Sequence, residues 1–302
     1  MKRSERIVWS ATPTPFLPDG SLDNASVERL VAQHLKLGVT GLFVAGTCGE
    51  GPYMPDEQRV ELARLIKRAA GGRLHVAAQV SDTSVARVKV NIRKMQDVGV
   101  DSVVIARPFV MTFYNRDFAR RYFVESIEAA TLPVGIYVTG KPDDPVLPLD
   151  SWREIARHPK VSFVKDSSGS VEMIGALAEI KAQRPGLTVM TGNEFDILTA
   201  VARGYDGALV GTGILTGRMV RHALRALDAG DRAAADQWQT RANEFLYGLF
   251  ARDLHLWLGG LKYALKRLGV FSDEFMHLNY PLSAADRARI DAAVERERSL
   301  IA

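Results

Sequence analysis

Val161-Ser162-Phe163-Val164-Lys165-Asp166-Ser167-Ser168-Gly169-Ser170 is the stretch on which the fold turns. Its first five residues read as a short strand that ends in an amine, and Asp166 to Gly169 supply a small, polar turn. Ser170 then stands where a helix N-cap belongs, ahead of a helical pattern over 170–183. One strand, one turn and one helix make a β/α unit, and the chain repeats it in both directions. Strand patterns occur at Ile7 to Pro13, Gly41 to Gly46, Leu74 to Val80, Ser102 to Ala106, Pro133 to Val138, Val161 to Lys165, Leu187 to Thr191 and Gly207 to Gly211. Helical patterns follow them at 23–37, 55–70, 83–98, 116–130, 149–157, 170–183, 194–203 and 216–228, with Asp23 capping the first as Ser170 caps the sixth. Eight such pairs predict a (β/α)8 TIM barrel over residues 1–229, whose reactive groups gather at the C-terminal ends of the strands.

From residue 230 to 302 the pattern is helical only, with helices expected over Ala233 to Leu246, Leu254 to Leu268 and Ala284 to Leu300. No low-complexity linker precedes this tail, so it reads as a helical extension packed on the barrel. Trp238, Phe245, Leu246, Leu256 and Trp257 give it more apolar surface than a solvated helix needs, which suggests subunit contact.

The 302 residues are 47% apolar and 25% charged, the composition of an ordinary globular chain. The 39 basic and 35 acidic residues give a net charge of +4 spread along the sequence, so nucleic acid is not implied. The densest basic run, Arg87 to Lys94, has helical spacing without aromatics that could stack on bases, and reads as a solvated helix face. No apolar run is long enough to span a membrane, and no signal segment follows the charged start, so a soluble cytoplasmic protein is expected. The lone Cys48 excludes an internal disulfide, and the six histidines lack metal-ligand spacing, so neither a metal nor a cofactor is expected.

The barrel reading brings distant strand ends onto one face. Taking an ammonium into an apolar site costs several kcal/mol, so a lysine held there tends to lose its proton and attack carbonyl carbon. Lys165 in isolation also fits an ammonium reaching into water, and its neighbours favour the first reading. Tyr137 lies near the end of the fifth strand, and adjacent strands are about 4.8 Å apart, so phenol and amine can reach one substrate. After the second strand, Gly46-Thr47-Cys48-Gly49-Glu50-Gly51 offers backbone amides and a hydroxyl to a small carboxylate; glycines serving turn geometry alone are the other reading. The turn is neither a phosphate-binding P-loop nor a GxGxxG dinucleotide turn. Cys48 has no evident histidine base, which argues against it as a nucleophile. Arg107, after the fourth strand, is either an anion contact or a surface guanidinium.

Thr12-Pro13-Thr14-Pro15-Phe16 with Asp19-Gly20-Ser21-Leu22-Asp23, then Gly46-Thr47-Cys48-Gly49-Glu50, Tyr137, and Val164-Lys165-Asp166-Ser167-Ser168-Gly169, occur in the order and spacing of one family. On them the chain resembles the dihydrodipicolinate synthase/N-acetylneuraminate lyase superfamily along essentially its whole length, including Gly192-Asn193-Glu194 and the helical tail. The resemblance implies Lys165 as the Schiff-base lysine, Tyr137 as the proton-transfer phenol, and Thr47 with Cys48 as the cradle for a 2-oxo acid carboxylate. It also implies a homotetramer, a dimer of dimers, without a metal.

The departures fall on specificity. Synthases of the family usually follow the fifth-strand tyrosine with Asn-x-Pro and then an arginine for a second carboxylate, where this chain has Val138-Thr139-Gly140-Lys141-Pro142. Lys141 can supply charge but not a bidentate fork. The fourth strand usually ends Pro-Tyr-Tyr, whereas here Arg107-Pro108-Phe109-Val110 breaks the synthase proton relay at Val110, with Tyr114 nearby as a substitute. Arg107, Val110, Tyr114, Lys141 and Leu209 are thus the expected specificity positions. The reading favoured is a class I aldolase that cleaves or forms a 4-hydroxy-2-oxo acid with pyruvate as donor or product. A 2-keto-3-deoxy sugar acid dehydratase using the same imine is the rival; dihydrodipicolinate synthase and a non-catalytic small-molecule-binding homologue are lesser ones.

Overall fold

The computed structural model describes residues 5–108, 115–278 and 280–302. Within them the alternation closes on itself. Strands β1 (Ile7–Ala11), β2 (Gly41–Val44), β3 (His75–Gln79), β4 (Ser102–Ala106), β5 (Val134–Val138), β6 (Val161–Asp166), β7 (Thr188–Thr191) and β8 (Gly207–Val210) form a closed parallel barrel in chain order. The last strand pairs with the first, Leu209 opposite Trp9 and Val210 opposite Ser10. Closure leaves no strand edge, and helices cover the outside, so a strand such as β4 is buried at every position.

Helices α1 (Asn24–Lys36), α2 (Asp56–Ala70), α3 (Val85–Val98), α4 (Arg116–Ala129), α5 (Leu149–Arg157), α6 (Val171–Gln183), α7 (Ile197–Ala202) and α8 (Gly213–Asp228) alternate with the strands. The expected caps operate: the Asp23 carboxylate accepts from Ser26 N at 3.0 Å and the Ser170 hydroxyl from Met173 N at 3.3 Å. In α2, Asp56 and Glu57 sit in the first turn and Lys67 and Arg68 in the last, charges that complement the helix dipole.

Two helices depart from the pattern expected of them. The helix expected over 194–203 is only Ile197–Ala202, because Asn193 and Glu194 spend their side chains outside it. Asn193 Oδ1 accepts from Phe195 N at 3.3 Å, and the Glu194 carboxylate accepts from Thr212 N at 3.1 Å. The eighth helix begins at Gly213 rather than 216, since this glycine fits against Ser10, where a Cβ would meet another carbon at 2.7 Å.

The extension comprises α9 (Arg232–Phe250), α10 (Trp257–Arg267) and α11 (Ala284–Ile301), the last opened by a reciprocal Ser283/Asp286 capping box. The apolar cluster that fills the barrel continues into Phe245, Leu261 and Ile290. Phe245, Leu246 and Leu256 are buried within this same chain. They therefore carry no argument for subunit contact, and the apolar excess of the tail is largely spent on its own barrel. No helix among the described residues is long and apolar enough to cross a membrane.

His34 in α1 has 0% exposure; its Nδ1 lies 2.8 Å from Leu30 O and its Nε2 has no partner among the described residues. Burial pushes its pKa down from 6.5 to about 4, so the folded chain holds a neutral imidazole where the unfolded chain binds a proton below about pH 6.5. The stability this gives is complete above pH 6.5 and is lost as pH falls toward 4, by about 3 kcal/mol. Urea denaturation midpoints at pH 7 and pH 4.5 are expected to differ less in His34→Leu than in the parent; equal differences would refute the assignment.

Candidate active site

The ends of β5 and β6 place the amine and the phenol together. In the β5–β6 register Tyr137 stands opposite Lys165, and Val138 opposite Asp166. Lys165 Nζ sits 4.1 Å from the centroid of the Tyr137 ring and 5.4 Å from that of Phe43 on β2, while the two rings meet edge to face at 5.9 Å. Lys165 is 6% exposed, and among the described residues no carboxylate lies within ion-pair distance of it. Two rings thus flank an amine that has no ion pair among the described residues.

The stem of the lysine runs past the residue that follows the seventh strand. A Cβ on Gly192 would stand 2.0 Å from Ser167 Oγ and 2.8 Å from Lys165 Cε, so only glycine lets the side chain run along this wall. The residue after the lysine is anchored as well. Asp166 Oδ2 accepts from the Tyr205 hydroxyl at 2.8 Å and Oδ1 from Ser168 N at 2.9 Å, deep enough that burial pushes the Asp166 carboxyl up.

The turn after β2 faces the same space. Gly51 N donates to Gly46 O at 3.2 Å and Glu50 N to Thr47 O at 3.1 Å, which fold Thr47 and Cys48 into a tight loop. Thr14 Oγ1 clamps it from the β1 side by donating to Gly49 O at 2.6 Å. Thr47 borders a cavity of about 230 Å³ with Ala106, Arg107, Pro108, Tyr137 and Thr139. Cys48 is buried with its Sγ 3.7 Å from Gly211 O. Burial pushes its thiol up and the Glu194 carboxylate reinforces this, the opposite of an activated nucleophile.

Arg107 lines that cavity, but its guanidinium is committed: Nη1 and Nη2 donate to the two oxygens of Asp144 at 2.9 and 3.1 Å. Asp144 also accepts from Val146 N and Leu147 N, both at 2.9 Å, so the pair braces the β5–α5 loop. Lys141 is exposed, and Leu209 is fully buried within β8. Val110 and Tyr114 lie outside the described residues.

A second cavity, of about 330 Å³, opens on the other side of β6 and runs from Ser167, Asn193 and Glu194 to Phe250, Leu254 and Trp257 of the extension. Glu194 was not among the site residues expected from sequence, although it belongs to a quoted motif. Burial pushes its carboxyl up, opposed by hydrogen bonds from Thr212 and by the charge of Lys165. Its local pattern is helical and carries no sign of its role, whereas the turn directs its carboxylate to Thr212. Among the described residues no three His, Cys, Asp or Glu side chains converge as metal ligands would.

The model of the dihydrodipicolinate synthetase family matches residues 4–296. A 4-hydroxy-tetrahydrodipicolinate synthase from Methylococcus capsulatus is 28% identical over 268 residues, covering 87% of this chain and 88% of its own. Among solved structures, a prophage protein of the dihydrodipicolinic acid synthase family from E. coli K12, in complex with pyruvate, superposes with a TM-score of 0.83 at 22% identity, over 97% of this chain and 98% of the other. The N-acetylneuraminate lyase from Mycoplasma synoviae gives a TM-score of 0.82 at 19% identity, over 96% and 97% of the two chains. These two likenesses establish the barrel with its tail as a shared fold.

Proposed function

The chain belongs to the dihydrodipicolinate synthetase family, a family of Schiff-base-forming lyases and synthases, and from that premise we propose that it is a class I aldolase acting on a 4-hydroxy-2-oxo acid, with pyruvate as donor or product. Lys165 Nζ attacks the ketone carbon, and loss of water from the carbinolamine gives a protonated imine. Removal of the C4 hydroxyl proton then breaks the C3–C4 bond. Its electron pair flows into the imine to form an enamine, and the aldehyde departs. Protonation at C3 and hydrolysis return pyruvate and the free amine. Tyr137, opposite Lys165 in register, relays protons in the carbinolamine and imine steps. The Thr47–Cys48 turn holds the substrate carboxylate.

The observation that carries this reading is the Lys165–Tyr137 pair, with Nζ 4.1 Å from the ring and the Thr47 cavity beside it. The choice of substrate rests on the mouth of the barrel. Arg107 is bound by Asp144, Lys141 is exposed, and Glu194 adds a carboxyl on the far side, so the described mouth offers no uncommitted guanidinium to a second carboxylate. Such a lining favours hydroxyl groups over a dicarboxylate.

One observation favours a second reading. A carboxyl pushed up by burial within the electrostatic reach of Lys165 can hold a proton for a departing hydroxide, which suits a dehydratase that expels water from the same imine. Incubation with 2-keto-3-deoxy sugar acids separates the two. Pyruvate plus an aldehyde is the expected result, and a dehydrated 2-oxo acid would transfer the assignment to the dehydratase. Efficient condensation of pyruvate with aspartate semialdehyde would overturn both. The homotetramer implied by the family resemblance is part of this proposal.

A further inference from the structure

Helix α10 carries a lysine in an apolar setting. Lys262 has 0% exposure, among Leu258, Leu261, Ala264 and Leu265 of its own helix, and it forms an ion pair with Glu50, which is equally buried. Lys262 Nζ also donates to Phe275 O at 2.8 Å and stands 4.5 Å from the Phe16 ring centroid. The other oxygen of Glu50 accepts from His277 N at 2.7 Å. Both carboxylate oxygens of Glu50 are thus engaged by the C-terminal extension, one by α10 and one by the segment that follows it.

Glu50 closes the Thr47–Cys48 turn. Its amide donates to Thr47 O, and its backbone is left-handed at φ +58°, as is that of Ala45 at φ +55° on the turn's other flank. A left-handed conformation costs a non-glycine residue roughly 1–2 kcal/mol, so it persists only where surrounding structure enforces it. The backbone has no slack either: a Cβ on Gly51 would meet Ala45 O at 1.8 Å. With the turn's own backbone bonds and Thr14, α10 and residues 275–277 hold Glu50 in place, gripping its side chain. A buried ion pair adds little net stability against an apolar replacement, but breaking it strands a charge that must seek water, and it specifies geometry.

We propose that Glu50 and Lys262 are positioning residues for the substrate carboxylate: through them the C-terminal extension fixes the Thr47–Cys48 turn and completes the 2-oxo acid site. This rests on the Schiff-base reading above. In Lys262→Met the stranded Glu50 carboxylate pulls the turn out of place, weakening carboxylate binding while leaving the chemistry at Lys165 intact. Borohydride trapping titrated with pyruvate measures this. The half-saturating pyruvate concentration is expected to rise about tenfold in Lys262→Met, equivalent to about 1.4 kcal/mol of binding, with the trapped fraction at saturation near that of the parent. The doubly neutral Glu50→Gln/Lys262→Met protein buries no lone charge but no longer ties the turn to α10, so its half-saturation is expected to stay raised, between those of the parent and Lys262→Met. A folded Lys262→Met protein with unchanged half-saturation overturns the proposal, even if its melting temperature has dropped, since the pair would then be structural only. Should Lys262→Met prove insoluble, Glu50→Gln is read against the double variant, and equal half-saturation of both with the parent overturns it likewise. Absence of any adduct in the parent protein would instead refute the Schiff-base reading itself.

Discussion

Lys165→Ala is expected to lose pyruvate release by about 10⁴-fold or more in kcat/KM, as removal of a covalent nucleophile does elsewhere, while the chain remains folded. The substitution strands no charge: the stem runs past Gly192, and the amine faces two rings without an ion pair to break among the described residues. Lys165→Arg sharpens the test, because a guanidinium keeps the positive charge yet cannot form an imine. With the parent protein, pyruvate and borohydride should add the mass of a reduced pyruvate adduct on the peptide containing Lys165. With either variant that mass should be absent. An adduct on another lysine, or turnover within tenfold of the parent, would refute the assignment.

Tyr137→Phe is expected to lower kcat by about 10²–10³-fold, the range of a lost proton relay, with pyruvate still trapped on Lys165 at saturation. The substitution keeps the ring, and with it the edge-to-face contact to Phe43 and the surface under Lys165 Nζ. What disappears is the hydroxyl alone. A slower approach to the trapped adduct together with a flattened pH profile of kcat would mark proton transfer. If kcat stayed within about threefold, the phenol would be a wall rather than a relay, and Glu194, on the other side of β6, would become the candidate for that role.

Both expectations rest on residues that could be read in order along the chain. Alternating strand and helix patterns mark every β/α unit, because a pleated strand and an α-helix each impose their own short period on the apolar residues. Capping residues such as Asp23 and Ser170 announce helix starts that the structure contains. Lys165 and Tyr137 stood out because a β/α barrel gathers its strand ends on one face. The seventh helix is shorter than its pattern predicts, since Asn193 and Glu194 carry no local sign that their side chains turn to Phe195 N and Thr212 instead of extending the helix.

The barrel and the order of its strands are thus legible in the residues alone, as is the placing of a lysine and a tyrosine at adjacent strand ends. Which charges find partners, Arg107 with Asp144 and Glu50 with Lys262, emerges only once the chain is folded. Periodicity is a local property, fixed by the backbone geometry of each element. The partner of a buried charge is fixed by closure of the barrel and by the path of the C-terminal helices over its mouth, and no spacing along the chain encodes either one.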